Sequence, residues 1–365
     1  MHILIVAPEQ ITVPPILGGS VEICILAIAK KLARSHRVTV VSRAHSRYPR
    51  HSVIDGVHIY RVPSGSPMKY LSHVKSFIKG KRFDVIQIDN RPRFVGPLKQ
   101  LFKGTPVSLF LHSLTFVGAP FTSRATAAKD LAKADIIIAN SSSLKQQLSA
   151  RFPRISGRIR KVWLGVDTNR FSPSRANKPN KAFKVLFTGR LIPRKGVPVL
   201  LKAVKQAQSK TVRPIHVVIA GGSTRSGYME SMRALARKLH VNTRFLGTVP
   251  HSRIHKVYRQ ADVFVCPSQQ HEAFGLVNVE AMSSGLPVIA SSNGGIKEIV
   301  RHNKNGILVK DYRKPQAFAN AIVRLMNNKN LRNSMKRQAR KDCLAKFSWS
   351  ASAQRLSGVY SKINR

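Results

Sequence analysis

Acidic residues are scarce in this chain: 15 Asp and Glu stand against 63 Lys and Arg in 365 residues, a formal net charge of +48. Self-repulsion at that charge opposes a compact state, so we expect an anionic membrane surface, an anionic substrate or bulk counterions to offset it. The basic residues are spread along the whole chain, which indicates a cationic surface rather than a discrete arm. Nucleic acid is disfavoured as a partner because no aromatic stacking motif or zinc-finger pattern is present.

Cysteine is also scarce, and long apolar runs are absent. Cys24, Cys266 and Cys343 lie far apart without a Cys-x-x-Cys pair, which disfavours a disulfide framework and a structural zinc site. No apolar run approaches the ~20 residues that cross a bilayer. The apolar start at residues 1–8 is too short for a signal peptide and lacks a cationic leader. We therefore predict buried cysteines and a cytoplasmic chain.

Apolar runs alternate with segments of helical spacing along both halves of the chain. This is the βαβ rhythm of doubly wound α/β sheets, and the length exceeds a usual single core, so two domains are expected. The predicted strands cover residues 3–7, 38–42, 58–62, 85–88, 107–111, 136–139, 185–188, 216–220, 243–246, 263–266, 288–290 and 307–309. The predicted helices cover residues 21–35, 70–79, 122–133, 197–207, 228–239, 251–260, 275–284 and 315–327, with two more in the tail from 331.

Changes in composition suggest where the domains meet. We predict an N-terminal domain over residues 1–170 and a hinge rich in Pro, Asn and basic residues over 171–184. A second domain is expected over 185–346, and a last helix over 347–365 follows a break in the tail.

Two carboxylates eight residues apart are the most informative feature of the sequence. Glu272 and Glu280 flank a turn formed by Phe274, Gly275 and Leu276. If a helix begins near Phe274, the two Glu lie roughly 12 Å apart along its axis. The free N–H groups of the first helical turn would then favour a diphosphate between them. This spacing fits a nucleotide-sugar, with one carboxylate at the sugar and one at the ribose.

Two loops that follow predicted strands carry residues suited to phosphate. Gly18 and Gly19 allow a backbone to approach a phosphate closely at the start of a helix. They do not form Gly-x-Gly-x-x-Gly, so a nicotinamide cofactor is disfavoured. In the second half, Gly189, Arg190 and Lys195 follow a strand, and the two cations can stabilise a departing diphosphate. Because no Asp-x-Asp occurs, we expect neither a metal nor another cofactor.

Three further positions lie where ligands of open α/β sheets bind. His112 ends a strand of the first half, and ligands sit at the carboxyl ends of such strands. An ordinary surface or core histidine is the alternative. Gly247 and Val249 lie in a loop before the helix predicted at 251–260, and this loop resembles the base-contacting loop of the family named below.

These segments together resemble the retaining glycosyltransferases of family 4, glycosyl transferases group 1, over nearly the whole chain. The resemblance implies the GT-B fold, in which two Rossmann-like domains face each other across a cleft and the last helix crosses back to the first domain. It also implies metal-independent transfer of a sugar from a nucleotide donor, by family frequency a UDP-sugar, to an acceptor hydroxyl with retention.

The resemblance also suggests a role for each of these positions. Glu280 would hold the ribose, while Glu272 and His112 would contact the sugar. The donor diphosphate would be bound by Arg190, Lys195 and the glycine loops. The chain departs from the family at two positions, with Leu164 where Asn is usual and Lys297 where Pro is frequent.

Other functions stay open at this point. A nucleotide-sugar epimerase would share the fold, and phosphorylases are disfavoured because their chains are much longer. A structural protein of a spore coat or other envelope layer is a further alternative, since the Pro-Pro-x-x-Gly-Gly opening resembles glycosyltransferase-like coat proteins. Residues 68–82 interleave Lys with apolar residues, typical either of a basic helix on the inner face of an anionic membrane or of a helix packed on a sheet. The acceptor would then be anionic or lipid-linked.

Overall fold

The computed structural model describes residues 1–174, 181–223 and 225–363, and the chain forms two compact α/β units. The first unit comprises residues 1–165 together with the tail from Trp349, and the second comprises residues 166–348. Residues 166–170, predicted in the N-terminal domain, therefore belong to the second unit. Residues 175–180 of the predicted hinge and residues 364–365 of the predicted last helix lie outside the described residues.

The first unit is built on an eight-stranded sheet in the order β3-β4-β2-β1-β5-β6-β7-β8. All neighbouring strands are parallel except the β3–β4 pair, which is antiparallel. The central strands are buried throughout, which explains why they appear in the sequence as continuous apolar runs. The strands are β1 (His2–Val6), β2 (Arg37–Arg43), β3 (His51–Ile54), β4 (Val57–Val62), β5 (Val85–Asp89), β6 (Val107–Leu111), β7 (Ile136–Ala139) and β8 (Ile159–Lys161). The helices are α1 (Ser20–Leu32), α2 (Pro67–Ile78), α3 (Pro92–Leu101), α4 (Arg124–Leu131) and α5 (Ser142–Arg151).

The second unit is built on a six-stranded parallel sheet in the order β11-β10-β9-β12-β13-β14. Its strands are β9 (Phe183–Thr188), β10 (Ile215–Ala220), β11 (Thr243–Gly247), β12 (Val263–Cys266), β13 (Val288–Ser291) and β14 (Gly306–Val309). Its helices are α6 (Val197–Gln208), α7 (Tyr228–Lys238), α8 (His251–Tyr258), α9 (Leu276–Ser283), α10 (Ile296–Ile299), α11 (Pro315–Asn327) and α12 (Lys329–Lys346). The last helix, α13 (Trp349–Ile363), packs on α1 in the first unit.

The predicted doubly wound fold is confirmed, and every predicted strand and helix overlaps an observed one. Both sheets reverse their strand order at one point, between β1 and β5 in the first unit and between β9 and β12 in the second. Ligands of open α/β sheets bind outside the carboxyl ends of the strands at such a point. The carboxyl edges of both sheets at these two points are therefore the expected place for a ligand.

Helix α2 settles which of two interpretations of residues 68–82 applies. Tyr70, Leu71, Val74 and Ile78 are buried, and the helix packs beside β4. Its apolar face is thus part of the core of the first unit, as in the packed alternative. The three cysteines are buried, as predicted. Among the described residues, no helix is both long enough and apolar enough to cross a bilayer.

Candidate active site

Two loops pack tightly against each other at the carboxyl edge of the second sheet. One loop continues from β9 to α6, and the other follows β12. The Gln269 amide donates a 2.8 Å hydrogen bond to the Arg194 carbonyl oxygen. Gly196 has a left-handed φ of 75°, and a Cβ there would overlap the Pro267 carbonyl oxygen. A glycine is therefore required for the close approach that brings Lys195 towards the second loop.

Lys195 and Glu272, 77 positions apart, form an ion pair at this edge. Lys195 Nζ lies 2.5 Å from Glu272 Oε2, and both side chains are largely buried. The Ser268 hydroxyl donates to the same carboxylate oxygen over 3.2 Å. Burial alone would raise the pKa of Glu272, but the Lys195 ammonium, together with Arg194 and Ser268, lowers it below the ordinary value of 4.5. Glu272 is therefore ionised at neutral pH and carries a fixed negative charge.

The backbone of Glu272 is held by the loop after β13. The Gly295 amide donates to the Glu272 carbonyl oxygen over 2.8 Å, and the Glu272 amide donates to Asn293 Oδ1 over 3.3 Å. Asn293 Nδ2 donates in turn to the Ser268 carbonyl oxygen over 2.8 Å. At Gly294, which has a φ of 51°, a Cβ would collide with the Glu272 backbone. This loop therefore fixes the position from which the Glu272 carboxylate extends.

The start of α9 lies two residues beyond Phe274, close to the predicted position. Helix α9 begins at Leu276, because Gly275 adopts a left-handed φ of 96° and ends the preceding loop. Glu272 therefore lies before the helix, and the expected separation of the two carboxylates along one helix axis does not apply. Phe274 is 2% exposed and its ring packs edge-on against Phe347, so its side chain is a core element rather than a ligand contact. The backbone around Gly275 and Leu276 lies at the N-terminus of α9.

Glu280 lies on α9 with a hydrogen-bond donor at each carboxylate oxygen. His251 Nε2 lies 2.9 Å from Oε1, and the Tyr258 hydroxyl donates to Oε2 over 2.9 Å. The Glu280 side chain is 7% exposed, so these two donors replace lost hydration. Each oxygen keeps a lone pair for a ligand hydroxyl, because a carboxylate oxygen can accept two hydrogen bonds.

The sequence analysis did not connect Glu280 with the residues that support it. Arg170 Nη2 lies 3.1 Å from His251 Nδ1, so a neutral His251 accepts from Arg170 and donates to Glu280. The buried Phe171 ring packs against both His251 and Tyr258, at centroid distances of 5.6 and 5.8 Å. The signals available were the position of His251 at the start of α8 and the spacing of seven residues to Tyr258, which places both on the same face of one helix, about two turns apart.

The remaining predicted residues of the second unit lie along the carboxyl edge of the same sheet. Gly189 follows β9, and its amide donates to the Ala220 carbonyl oxygen. Arg190 is exposed beside it and interacts electrostatically with Glu272. Gly247 ends β11 with a φ of 65°, and Val249 is half-buried in the loop that follows.

In the first unit, His112 and Asp89 meet at the carboxyl ends of β5 and β6. His112 Nε2 lies 2.9 Å from Asp89 Oδ1, and their side chains are 8% and 1% exposed. The backbone of His112 is held on both sides: its amide donates to Asn90 Oδ1, and its carbonyl oxygen accepts from Asn140 Nδ2. His112 is therefore a fixed, hydrogen-bonded side chain rather than a loose surface histidine.

The glycine loop of the first unit lies next to the buried carboxylate of Glu22. Gly18 and Gly19 precede α1, and Gly19 has a φ of 149°. Glu22, in the first turn of α1, is 3% exposed and its carboxylate approaches Gly19. Burial raises the pKa of Glu22 to about 7, with the negative charges of Asp89 and Glu9 adding to the shift. A protonated Glu22 removes a negative charge that would repel a phosphate at this loop.

Over residues 1–174, 181–223 and 225–363, no group of three or more His, Cys, Asp or Glu side chains is arranged to hold a metal ion.

Comparison with protein families places two matches end to end along the chain. The family described as "Glycosyltransferase Family 4" matches residues 18–170, and "Glycosyl transferases group 1" matches residues 169–342. The first match covers strands β2 to β8 and the glycine loop of the first unit. The second match covers the loops around Lys195, Glu272 and Glu280.

Individual proteins show similarity over the full length. The chain is 28% identical to "Spore coat protein SA" of Bacillus subtilis, over 99% of this chain and 100% of that protein. It is 29% identical to "Putative glycosyltransferase YtcC" of the same organism, over 100% of this chain and 92% of that protein. Among solved structures, Anabaena Alr3699/HepE in complex with UDP and glucose matches with a TM-score of 0.79 and 21% identity, over 99% of this chain and 100% of the other.

Proposed function

This chain belongs to the glycosyltransferases with a family 4 domain followed by a group 1 domain, and on that premise we propose that it transfers a sugar from a nucleoside diphosphate donor to an acceptor hydroxyl. We further propose that the transfer retains the anomeric configuration, needs no metal, and uses a UDP-sugar. The UDP complex of a protein with the same fold supports the choice of base.

The ion pair between Lys195 and Glu272 carries this proposal. Sequence reasoning assigned Lys195 to the diphosphate and Glu272 to the sugar, and their side-chain atoms lie 2.5 Å apart. The two groups that would meet at the bond to be broken are thus neighbours in the folded chain. A departing diphosphate gains negative charge, which Lys195 and Arg190 would stabilise. The ionised Glu272 would favour the positive charge that develops on the sugar.

Glu280 would bind the ribose of the donor. Its two oxygens each have one protein donor, from His251 and Tyr258, and each can accept a further bond from one of the two ribose hydroxyls. The free N–H groups at the start of α9 favour the diphosphate. The loop with Gly247 and Val249 would contact the base.

No side-chain nucleophile is required by this proposal. The departing phosphate would take the proton of the acceptor hydroxyl on the face from which it leaves, so the chain mainly positions the donor and neutralises charge. In the first unit, His112 would bind a sugar hydroxyl, and the loop of Gly18 and Gly19 would bind phosphate above the neutral form of Glu22.

The charge of the chain bears on the acceptor and on localisation. We propose an anionic or lipid-linked acceptor and a cytoplasmic protein that associates peripherally with an anionic membrane, because a +48 surface attracts both. Since the apolar face of α2 is buried, this attraction would be electrostatic and lost at high salt. Sedimentation with anionic vesicles at low and high salt tests it, and the absence of sedimentation at low salt contradicts it.

Calorimetric titration with UDP, ADP and GDP, followed by product analysis, tests the proposed function. One nucleotide should bind far more tightly than the others and should lose affinity in Glu280→Ala. With the matching sugar donor and an acceptor, the product should keep the anomeric configuration, and chelation with EDTA should not reduce the rate. Equal binding of all nucleotides that is unchanged in the variant and abolished by salt would mean charge attraction alone and would contradict the proposal.

A structural role in a spore coat or another envelope layer is a second candidate. It is favoured by the full-length similarity to "Spore coat protein SA". A coat protein without activity would not need Lys195, Glu272 and Glu280 in an ordered hydrogen-bonded arrangement. An epimerase would differ from a transferase by releasing free nucleotide without an acceptor, which the same assay measures.

A further inference from the structure

A chain of buried hydrogen bonds runs from the tail helix to His112 within the first unit. The Tyr360 hydroxyl on α13 donates to Gln87 Oε1 over 2.6 Å, and Gln87 Nε2 donates to Asp89 Oδ2 over 2.7 Å. Asp89 Oδ1 is then 2.9 Å from His112 Nε2. Tyr360 is fully buried, and Gln87 and Asp89 are each 1% exposed. These contacts are therefore shielded from bulk solvent.

The hydrogen-bond donors in this series of contacts all point towards Asp89. Burial raises the pKa of Tyr360 far above its usual range, so its hydroxyl stays protonated and can donate to Gln87. The Gln87 amide then has its oxygen towards Tyr360 and its nitrogen towards Asp89, because a carboxylate accepts but does not donate. Asp89 Oδ1 likewise accepts a hydrogen bond, so it needs a donor at Nε2 of His112. The neutral imidazole must therefore carry its proton on Nε2 and leave Nδ1 as an acceptor.

We propose that Tyr360, Gln87 and Asp89 are positioning residues that fix the tautomer and orientation of His112, so that the tail helix controls a residue of the sugar-transfer site. The proposal rests on the proposed function only for its effect on rate. With Nδ1 unprotonated, His112 accepts a hydrogen bond from a sugar hydroxyl. In the opposite tautomer, Nδ1–H cannot accept one.

Each link can be broken by a small change. In Asp89→Asn, the amide can donate to Nε2, which favours the opposite tautomer with the proton on Nδ1. In Tyr360→Phe, Gln87 Oε1 loses its donor, so the Gln87 amide is no longer held with its nitrogen towards Asp89. Asp89 then loses the donor that holds its carboxylate in place, so the Nε2–H tautomer persists but the orientation of the imidazole is no longer fixed. Tyr70→Phe is the matched control, because Tyr70 is equally buried in the same unit but donates to the backbone oxygens of Ala7 and Val41.

Nitrogen-15 NMR of the full chain with labelled histidine tests the chain of bonds directly. The His112 signals are identified by their loss in His112→Gln. The wild-type protein and Tyr70→Phe should show the Nε2–H tautomer, Asp89→Asn the Nδ1–H tautomer, and Tyr360→Phe the Nε2–H tautomer with His112 signals broadened or shifted by motion of the ring. An Nδ1–H tautomer in the wild type, or wild-type signals in Tyr360→Phe, would overturn the proposal. If Tyr360→Phe does not fold, Gln87→Met breaks the same chain one link further on and has the same expected result.

Sugar transfer supplies the second readout. Asp89→Asn and Tyr360→Phe should lower kcat by about 10-fold or more, the effect of losing one buried hydrogen bond to substrate, while UDP affinity stays at the wild-type value. Tyr70→Phe should have the wild-type kcat and the wild-type affinity for UDP. If the chain transfers no sugar at all, the tautomer measurements still decide the positioning role. If transfer occurs with wild-type kcat in both variants, the positioning role is overturned while the proposed function stands.

Discussion

Glu280 Oε2 accepts a 2.9 Å hydrogen bond from the Tyr258 hydroxyl in the interior of the second unit. That hydroxyl lies 2.6 Å from Thr188 Oγ1, so Thr188 donates to Tyr258 and Tyr258 donates to Glu280. Burial, followed by the charge of Glu280, raises the pKa of Tyr258 well above its usual range. The tyrosine is therefore a hydrogen-bond donor at neutral pH, and it ties the carboxylate on α9 to the end of β9.

Tyr258→Phe should weaken UDP binding about 10-fold, because the ribose-binding carboxylate loses one buried partner that orients it. Isothermal titration calorimetry with UDP measures this change. Tyr228→Phe is the control: the Tyr228 hydroxyl has no hydrogen-bond partner among the described residues, so the affinity should stay at the wild-type value. Equal loss in both variants would show that Tyr258 acts through general packing instead.

Lys195→Ala should destabilise the protein at neutral pH by about 3 kcal/mol, because Glu272 keeps a largely buried charge without its counterion. The pKa of Glu272 in the folded chain lies below its ordinary value, so the pair stabilises the fold above about pH 4.5 and this contribution is lost as the pH falls through the folded pKa. Denaturant unfolding at several pH values should therefore show a difference from wild type that shrinks in acid. Lys202→Ala, exposed on α6, should change little at any pH. A difference independent of pH would contradict the ion-pair account.

Glu22→Gln should stabilise the protein increasingly as the pH rises. Glu22 has a folded pKa of about 7 against 4.5 when unperturbed, so the folded chain holds this proton more tightly than the unfolded chain does. The free energy of unfolding of the wild-type protein therefore has its highest value, with respect to Glu22, below about pH 4.5. It decreases between about pH 4.5 and 7 as Glu22 ionises, and above that range it is lower by up to about 3 kcal/mol. Thermal unfolding from pH 4.5 to 8.5 should show the variant's advantage only at the upper end. Glu230→Gln, exposed on α7, should show no such trend.

Gly294→Ala should reduce both stability and sugar transfer. A Cβ at this left-handed position collides with the backbone of Glu272, and the conformation itself costs about 1–3 kcal/mol for a residue other than glycine. Gly358→Ala is the contrasting change: in helix α13 a Cβ there meets no atom within 4 Å, and alanine should stabilise the helix by about 0.5–1 kcal/mol. The melting temperature and the rate of sugar transfer, measured for the two variants and the wild-type protein, check both predictions. A Gly294→Ala variant with wild-type activity would show that Glu272 does not need this backbone position.

The strands could be predicted because the parallel sheets are buried on both faces and leave continuous apolar runs in the sequence. Helices α3 and α5 were not predicted from the sequence, each for a different reason. Helix α3 contains Gly96 and Pro97, which normally break a helix, and α5 is mostly polar and has a weak apolar stripe. Edge strands β3 and β8 are short and partly exposed, so they lack the apolar run.

Side-chain partners could be predicted only where a motif fixes them in space. Lys195 and Glu272 were both assigned to the donor, but their direct contact depends on how closely two loops pack at Gly196. The pairs formed by Asp89 with His112 and by His251 with Glu280 bring together residues 23 and 29 positions apart. No local periodicity encodes such pairs, because they arise when strands and helices assemble into one unit.

The return of α13 to the first unit has a consequence for how the protein is made on the ribosome. The first unit needs its last helix, which supplies Tyr360 to Gln87 and packs on α1, yet the whole second unit, residues 166–348, is translated in between. At roughly 5–20 residues per second, that interval lasts on the order of 10–40 s. The half of the protein that emerges first is thus the last to be completed. A stop codon just before Trp349 would leave the later-made unit whole and damage the earlier one.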